Sequence, residues 1–301
     1  MKFWKYIFLL LTLIIIVVFL AVFSFDSKLH LIACDVGQGD AILVILGRNQ
    51  ILIDGGPNNK VLECLSKYMP FWDREIEMVV LTHPQKDHYG GLLEVFKRYR
   101  VDNFLANALD SSDQGYQVLE TLVGGGGTRI INPVSGMKVG NSLMYLDILF
   151  PLKKVLTEDL EPSGSQNSLG KYISKLDSNE FSIVAILKYK DFSALLTGDM
   201  TPKISDEIIT EGKIVDVNYL KVPHHGSKNG LTKELLDLSS PEIAVVSVGK
   251  KNPYGHPHKE ILDLLGSINA KIFRTDLNGD VILVTNGKTW WMKKIGELVP
   301  S

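Results

Sequence analysis

Apolar and polar positions divide the chain into a long apolar opening and a remainder in which short apolar runs alternate with amphipathic stretches. Ile7 to Phe23 is apolar at every position except Thr12, Lys2 and Lys5 precede it, and no acid occurs before Asp26. As a helix rising ~1.5 Å per residue, the run from Tyr6 to Phe25 covers the ~30 Å core of a bilayer. The pattern therefore predicts a transmembrane anchor over residues 1–25. A signal peptide is the alternative, but the run is long for one and Ala21-Val-Phe-Ser-Phe is a poor cleavage site. With Lys2 and Lys5 held inside, residues from Asp26 onward are expected outside the cell membrane, on a single-pass protein, or secreted if the segment is cleaved.

Beyond the opening, Leu29-His-Leu-Ile-Ala-Cys, Ala41-Ile-Leu-Val-Ile-Leu, Ile51-Leu-Ile and Met78-Val-Val-Leu are short and rich in branched residues, the pattern of strands. Residues 59–69 and 91–99 repeat apolar positions at three and four spacing, which predicts helices. Strands are further expected at 181–189, 192–196, 217–222, 243–248, 271–273 and 281–284, with helices at 201–210, 230–238 and 259–267 between them. Early hairpins followed by strand–helix alternation, seen twice, predict an α/β (α+β) domain over 26–301 with two packed sheets and helices outside. Gly124 to Gly127 reads as a flexible turn rather than a linker.

Composition narrows this picture. The 301 residues are 45% hydrophobic and 22% charged, an ordinary globular balance. Setting Lys2 and Lys5 aside leaves 30 Lys and Arg against 34 Asp and Glu, a net charge of −4 that argues against an indiscriminate nucleic-acid coat. Cys34 lies in a strand-like run and Cys64 in a helix-like one, so two buried free thiols are expected, with a single disulfide as the alternative.

Six of the seven histidines fall in three short segments, His83 with His88, His224 with His225, and His256 with His258. A single histidine is usually an ordinary core or surface residue. Clustering just after predicted strands, where loops carry chemistry, weakens that explanation. In Leu81-Thr-His-Pro-Gln-Lys-Asp-His-Tyr-Gly-Gly91, a strand ends at His83 and Asp87-His88 stands before a helix, so one turn offers imidazole and carboxylate donors of the kind zinc accepts. Gly90 and Gly91 would let backbone pass close to the ion. Leu195-Leu-Thr-Gly-Asp199 ends another strand with a carboxylate able to complete one ion's shell or to bridge two.

His-x-x-x-Asp-His-x-Gly-Gly followed by Thr-Gly-Asp resembles the metallo-β-lactamase superfamily. More narrowly, the chain is similar to the C-terminal hydrolase domain of ComEC-type DNA-uptake (competence) proteins. The matching segments are Asp35-Val-Gly-Gln-Gly-Asp40-Ala, Leu52-Ile-Asp54-Gly-Gly, the histidine loop, Leu196-Thr-Gly-Asp199, Leu220-Lys-Val-Pro-His224-His225-Gly-Ser227, and Ser247-Val-Gly with Asn252-Pro-Tyr-Gly-His256-Pro. The resemblance implies an αββα sandwich, with the metal site at one edge between the sheets. It maps Asp87, His88, Asp199 and His256 onto one metal position, with His83 as a further ligand. His224 or His225 becomes a catalytic or phosphate-contacting residue, and the opposite assignment, with one of this pair as ligand, stays open. Two departures deplete the other metal position: Gln85 replaces the usual second histidine, and no histidine occurs between His88 and His224. One firmly held Zn²⁺ is expected, Mn²⁺ being the alternative, with any second ion weakly held.

In this reading Asp87 orients the attacking water, and His224 and His225 stabilise developing charge or protonate the leaving oxygen. Gln38, Asp40, Gln85, Ser227, Lys228 and Tyr254 are candidate substrate contacts, whereas Asp35 and Asp54-Gly-Gly read as structural turns. Lysines 221, 228, 233, 250, 251 and 259 outnumber Glu234, Asp237 and Glu242, a local surplus that suits an anionic substrate or equally a solvated face. The resemblance makes a phosphodiesterase acting on single-stranded DNA or RNA the leading expectation, with a role in DNA uptake. An esterase of envelope phosphodiesters such as phosphocholine, or a binding module with a decayed centre, are the alternatives. No protein-docking motif is readable.

Overall fold

The protein is described by a computed structural model over residues 2–23, 26–163 and 169–293. Helix α1 (Lys2–Phe23) is followed by strands β1 (Leu29–Ala33), β2 (Ile42–Leu46) and β3 (Asn49–Ile53), helix α2 (Lys60–Tyr68) and strand β4 (Glu75–Leu81). Then come α3 (Lys86–Tyr89), α4 (Leu92–Arg98), β5 (Arg100–Ala106), α5 (Gln114–Gly125), β6 (Arg129–Ile131), β7 (Lys138–Gly140), β8 (Met144–Phe150) and α6 (Lys153–Glu158). A small ribbon, β9 (Glu161–Pro162) and β10 (Tyr172–Ile173), precedes β11 (Val184–Tyr189), β12 (Phe192–Leu196), α7 (Pro202–Thr210), β13 (Tyr219–Lys221), α8 (Lys233–Ser239) and β14 (Ile243–Val246). The last elements are α9 (Lys259–Ser267), β15 (Lys271–Arg274), α10 (Thr275–Asn278), β16 (Val281–Thr285) and β17 (Trp290–Lys293).

The strands form an eight-stranded sheet in the order β17-β16-β1-β2-β3-β4-β5-β6 and a seven-stranded sheet in the order β15-β14-β13-β12-β11-β8-β7. Alternation along each strand sorts side chains into layers. In β2, Ile42, Val44 and Leu46 point between the sheets, where they meet Ala185, Leu187 and Leu196. Leu43 and Ile45 point outward and pack with Leu65 of α2, Val95 of α4 and Leu119 of α5. The second sheet repeats the arrangement: Leu195 and Leu220 pack outward against Ile204 of α7, Leu235 of α8 and Leu265 of α9. Burying both faces of each sheet explains why these strands are continuously apolar instead of alternating. The architecture is an αββα sandwich of the α/β class.

β3 to β6 run parallel, as do β12 to β15. The carboxyl ends of β3, β4, β12, β13 and β14 meet at one edge of the sandwich, the position where open α/β sheets place ligands. Several elements escape the apolar pattern, among them β5 to β10, α5 and α6, all between residues 99 and 181. β5 carries Asp102 and Asn103, and α5 continues through Gly124 and Gly125, so the turn read over 124–127 is confined to Gly126 and Gly127.

Two expectations are corrected. Cys34 and Cys64 are joined in a disulfide, their Cα atoms 5.9 Å apart, because the end of β1 and the buried face of α2 meet in the outer layer. Closing a loop of 30 residues contributes roughly 3.6 kcal/mol in the chain-entropy account. The Cys34→Ser/Cys64→Ser double variant should lose about that much in urea unfolding, and an unchanged midpoint would show the cross-link to be neutral. Secondly, among the described residues no helix is long and apolar enough to cross a membrane. The membrane anchor and the extracytoplasmic placement built on it are therefore withdrawn. Met1, Ser24 and Phe25 of that segment lie outside the described residues, as do 164–168 and 294–301 of the expected domain.

Candidate metal centre

Each candidate side chain stands where a strand stops. Asp54 follows β3, Thr82 and His83 follow β4, Asp199 follows β12, Lys221 ends β13, and Ser247 follows β14. Three loops then pack backbone to backbone: Asp40 N–H donates to Asp87 O (3.2 Å), Gly55 N–H to His88 O (2.6 Å), and Gly91 N–H to Gly56 O (2.9 Å). A Cβ on Gly91 would strike Gly55 O, and one on Gly39 would strike Asp87 O. Glycine in the histidine loop thus admits one backbone to another, not backbone to an ion as expected.

Asp87, His88, Asp199 and His225 each place one donor atom within 4.8 Å of the others. His88 Nε2 lies 3.4 Å from Asp199 Oδ1 and 4.0 Å from Asp87 Oδ2; His225 Nε2 lies 3.4 Å from both Asp87 Oδ2 and Asp199 Oδ2. Both rings are oriented from behind. His88 Nδ1 faces Asp54 Oδ2 at 2.8 Å, and His225 Nδ1–H donates to Ser247 O at 2.9 Å. A proton held at Nδ1 leaves Nε2 with its lone pair turned into the site. His88 Nε2, His225 Nε2 and Asp199 Oδ1 are buried without a hydrogen-bond partner. Converging unpartnered donors of these two types fit a divalent cation such as zinc.

The carboxylates draw a second proton onto both rings, positive charge that a cation at Nε2 would supply in its place. Four carboxylates gather here, Asp40, Asp54, Asp87 and Asp199, and Lys221 pairs with Asp40. Burial opposes charge on His88 and His225, yet Asp199 with Asp54 holds His88, and Asp199 with Asp40 holds His225, well above the ordinary imidazole range. Asp199, despite burial that favours its neutral form, is kept well below the ordinary carboxylate range by His225 and His88. The carboxylates need local positive charge, which a bound cation supplies.

The choice between the late histidines is made by the backbone. His224 and His225 both adopt left-handed φ, 51° and 54°, a conformation costing about 1–3 kcal/mol per non-glycine residue and typical of functional sites. His224 N–H donates to Gly198 O (3.3 Å) and Ser227 N–H to His224 O (2.8 Å), which hold the turn. The two rings therefore diverge, with an interplanar angle of 82°. His225 joins the cluster; His224, its Nε2 3.8 Å from Asp199 Oδ2, faces a cavity of about 440 Å³ that Gln38, Gln85, Asp87 and Tyr254 also line.

Other expected site residues fall elsewhere. His256 stays out of the four-residue group; its ring centroid is 6.0 Å from that of His224, and burial with neighbouring His225 pushes its pKa down to about 4. His83 also stays out. Its Nδ1 contacts Thr82 Oγ1 (3.1 Å) and Ser182 Oγ (3.3 Å), and burial, then His88, push its pKa down to about 3. Gln85 donates to Ser178 Oγ (3.0 Å), Gln38 accepts from Gly249 N–H (3.1 Å), and Ser227 is buried with its Oγ accepting from Asn229 N–H (3.2 Å). Lys228 is exposed beside His258, while Asp40 lies beneath the site, not at its mouth. Among the six lysines, Lys221 is buried, and Lys233 and Lys259 pair with Asp237 and Asp263. Asp54, Lys221 and Ser182 are functional neighbours that the motif reading passed over.

His225→Ala should lower zinc affinity by more than the ~10–100-fold typical of losing an outer partner, measured by competition with a chromophoric chelator. His256→Ala should stay within a few-fold of wild type. Equal losses would return His256 to the ligand set.

Strand-end ligands on an αββα sandwich agree with the sequence comparison, in which the profile of the Metallo-beta-lactamase superfamily matches residues 34–250. The chain belongs to that superfamily. Within it, the chain is similar to ComE operon protein 3 of Bacillus subtilis (strain 168), 26% identical over 272 residues, with 82% of this chain and 32% of the relative covered. It is also similar to Recombination protein 2 of Haemophilus influenzae, 26% identical over 253 residues, with 82% of this chain and 28% of the relative covered. The chain thus spans about a third of the length of the curated relatives it matches. The metallo-beta-lactamase fold protein YhfI from Bacillus subtilis shares the fold, with a TM-score of 0.53 at 11% identity over 88% of this chain and 100% of that one.

Proposed function

We propose that the chain is a metal-dependent phosphodiesterase, with zinc as the resident ion, manganese as the alternative, and DNA or RNA as substrate. The observation that carries it is the convergence of unpartnered His88 Nε2, His225 Nε2 and Asp199 Oδ1 beside Asp87, at the floor of a cavity walled by His224. Asp87, His88, Asp199 and His225 would hold the cation, which when bound would supply Lewis-acid activation of a water and of a phosphoryl oxygen. Asp87 is partly exposed in the cavity and can accept a hydrogen bond from the attacking water, orienting it. His224, less buried than His225, is placed to donate a hydrogen bond to charge developing on the phosphoryl or leaving oxygen. Lys86, on the cavity wall, and Lys228 are exposed and offer positive charge to a polyanion.

Similarity to Recombination protein 2 supports a nucleic acid over other phosphodiesters. A decayed binding module is disfavoured, because loss of the centre would remove the reason for buried donors to face one space without partners. The test is incubation of the full chain with Zn²⁺ or Mn²⁺ and, separately, single-stranded DNA, bis-p-nitrophenyl phosphate and p-nitrophenyl phosphorylcholine. Cleavage of the first two is expected. Cleavage of the choline ester alone would replace the substrate class, and no cleavage with either ion would overturn the reading.

A further inference from the structure

We infer that Tyr254, backed by His256, is a stacking platform for a nucleobase next to the scissile phosphate; the inference rests on the phosphodiesterase reading above. The Tyr254 ring is 63% exposed, and its inner face stacks on His256, with centroids 5.6 Å apart and an interplanar angle of 25°. His256 in turn meets His224 edge-on at 6.0 Å, and His224 Nε2 is 3.8 Å from Asp199 Oδ2. A row of rings thus runs from the metal cluster to the mouth of the same cavity. A single exposed tyrosine is unremarkable by itself.

This one is held in place. Asn252 Nδ2 donates to Gly249 O (3.0 Å) and His256 O (2.9 Å), while Asn252 Oδ1 accepts from His256 N–H (2.9 Å), so the loop is braced at both ends. Pro57 and Pro253 line the same cavity and add apolar surface to it. A planar group with a π-face suits such a surface, and stacking tolerates any base. A choline headgroup suits it poorly: quaternary ammonium ions are caged by several aromatic faces, and Tyr254 is the one Phe, Tyr or Trp among the described residues lining this cavity.

The experiment compares hydrolysis of a dinucleoside monophosphate with that of its abasic counterpart by the full chain. Wild type should prefer the base-bearing substrate in kcat/KM by roughly five- to 150-fold, the range expected from one base–aromatic stack. Tyr254→Ala should bring that ratio close to one, and Tyr254→Phe should keep it. In parallel, a 2-aminopurine dinucleotide should be quenched on binding to wild type and Tyr254→Phe but not to Tyr254→Ala. Hydrolysis without preference in wild type, equal loss on both substrates in Tyr254→Ala, or no quenching in wild type would each overturn the platform alone. Absence of hydrolysis on both substrates would overturn the phosphodiesterase reading and the platform with it.

Discussion

Asp199→Ala should lower the proposed phosphodiester turnover by more than ~10³-fold, beyond what removal of a single hydrogen-bond donor at an active site costs. The carboxylate serves two histidines at once, Oδ1 at 3.4 Å from His88 Nε2 and Oδ2 at 3.4 Å from His225 Nε2. Without it the centre loses its only donor from the second sheet's β12 edge, and the two rings lose the charge that holds them facing one point. The fold should survive, because the backbone N–H of residue 199 donates to Ser182 Oγ (3.1 Å) and the turn is braced from its backbone, not from its carboxylate. Asp199→Asn separates shape from charge: it should be nearly as inactive while its circular dichroism matches wild type. Activity retained in Asp199→Ala would locate the chemistry elsewhere.

The apolar pattern disclosed the strands whose two faces are both covered. Ile42 to Leu46 is continuously apolar because alternate residues enter two different cores. β5 was hidden, since Asp102 and Asn103 occupy half-buried positions near the end of the sheet. The site divides similarly. Asp87, His88 and Asp199 stand in short motifs at strand ends and were legible as donors. Which late histidine points inward was not, because it depends on left-handed φ at His224 and His225, and spacing along the chain carries no trace of ring direction. Asp54 lay in a quoted motif but read as a turn, since its partner, His88 Nδ1, is 34 residues away. Ser182 touches His83 and the Asp199 amide, and a lone serine in an apolar run gives no signal.

Lys221 counted in the sequence as one of six lysines in a solvent-facing surplus, and its burial changes what its removal does. The side chain is 1% exposed and pairs with Asp40, donates to Gly198 O at 2.9 Å and lies 3.7 Å from Asp199 Oδ1. Burial disfavours its charge, but Asp40 and then Asp199 outweigh burial and hold its pKa above the ordinary lysine value. Asp40 mirrors this: burial alone would raise its pKa, and Lys221, then His225, hold it well below the carboxylate range. Lys221→Met keeps most of the stem volume and deletes the charge, leaving Asp40 buried without its main counter-ion. Breaking a buried pair in this way costs about 3–5 kcal/mol. Urea unfolding in the presence of a chelator should show that loss, the chelator being needed because an ion bound only by the folded chain would mask part of it. The Lys221→Met/Asp40→Asn double variant should recover most of the stability, since a neutral amide beside a thioether leaves no uncompensated charge. If the single variant unfolds within 1 kcal/mol of wild type, the pair is not what holds the loop of Asp40 against β13, and the backbone contacts among the three glycine-bearing loops carry that edge unaided.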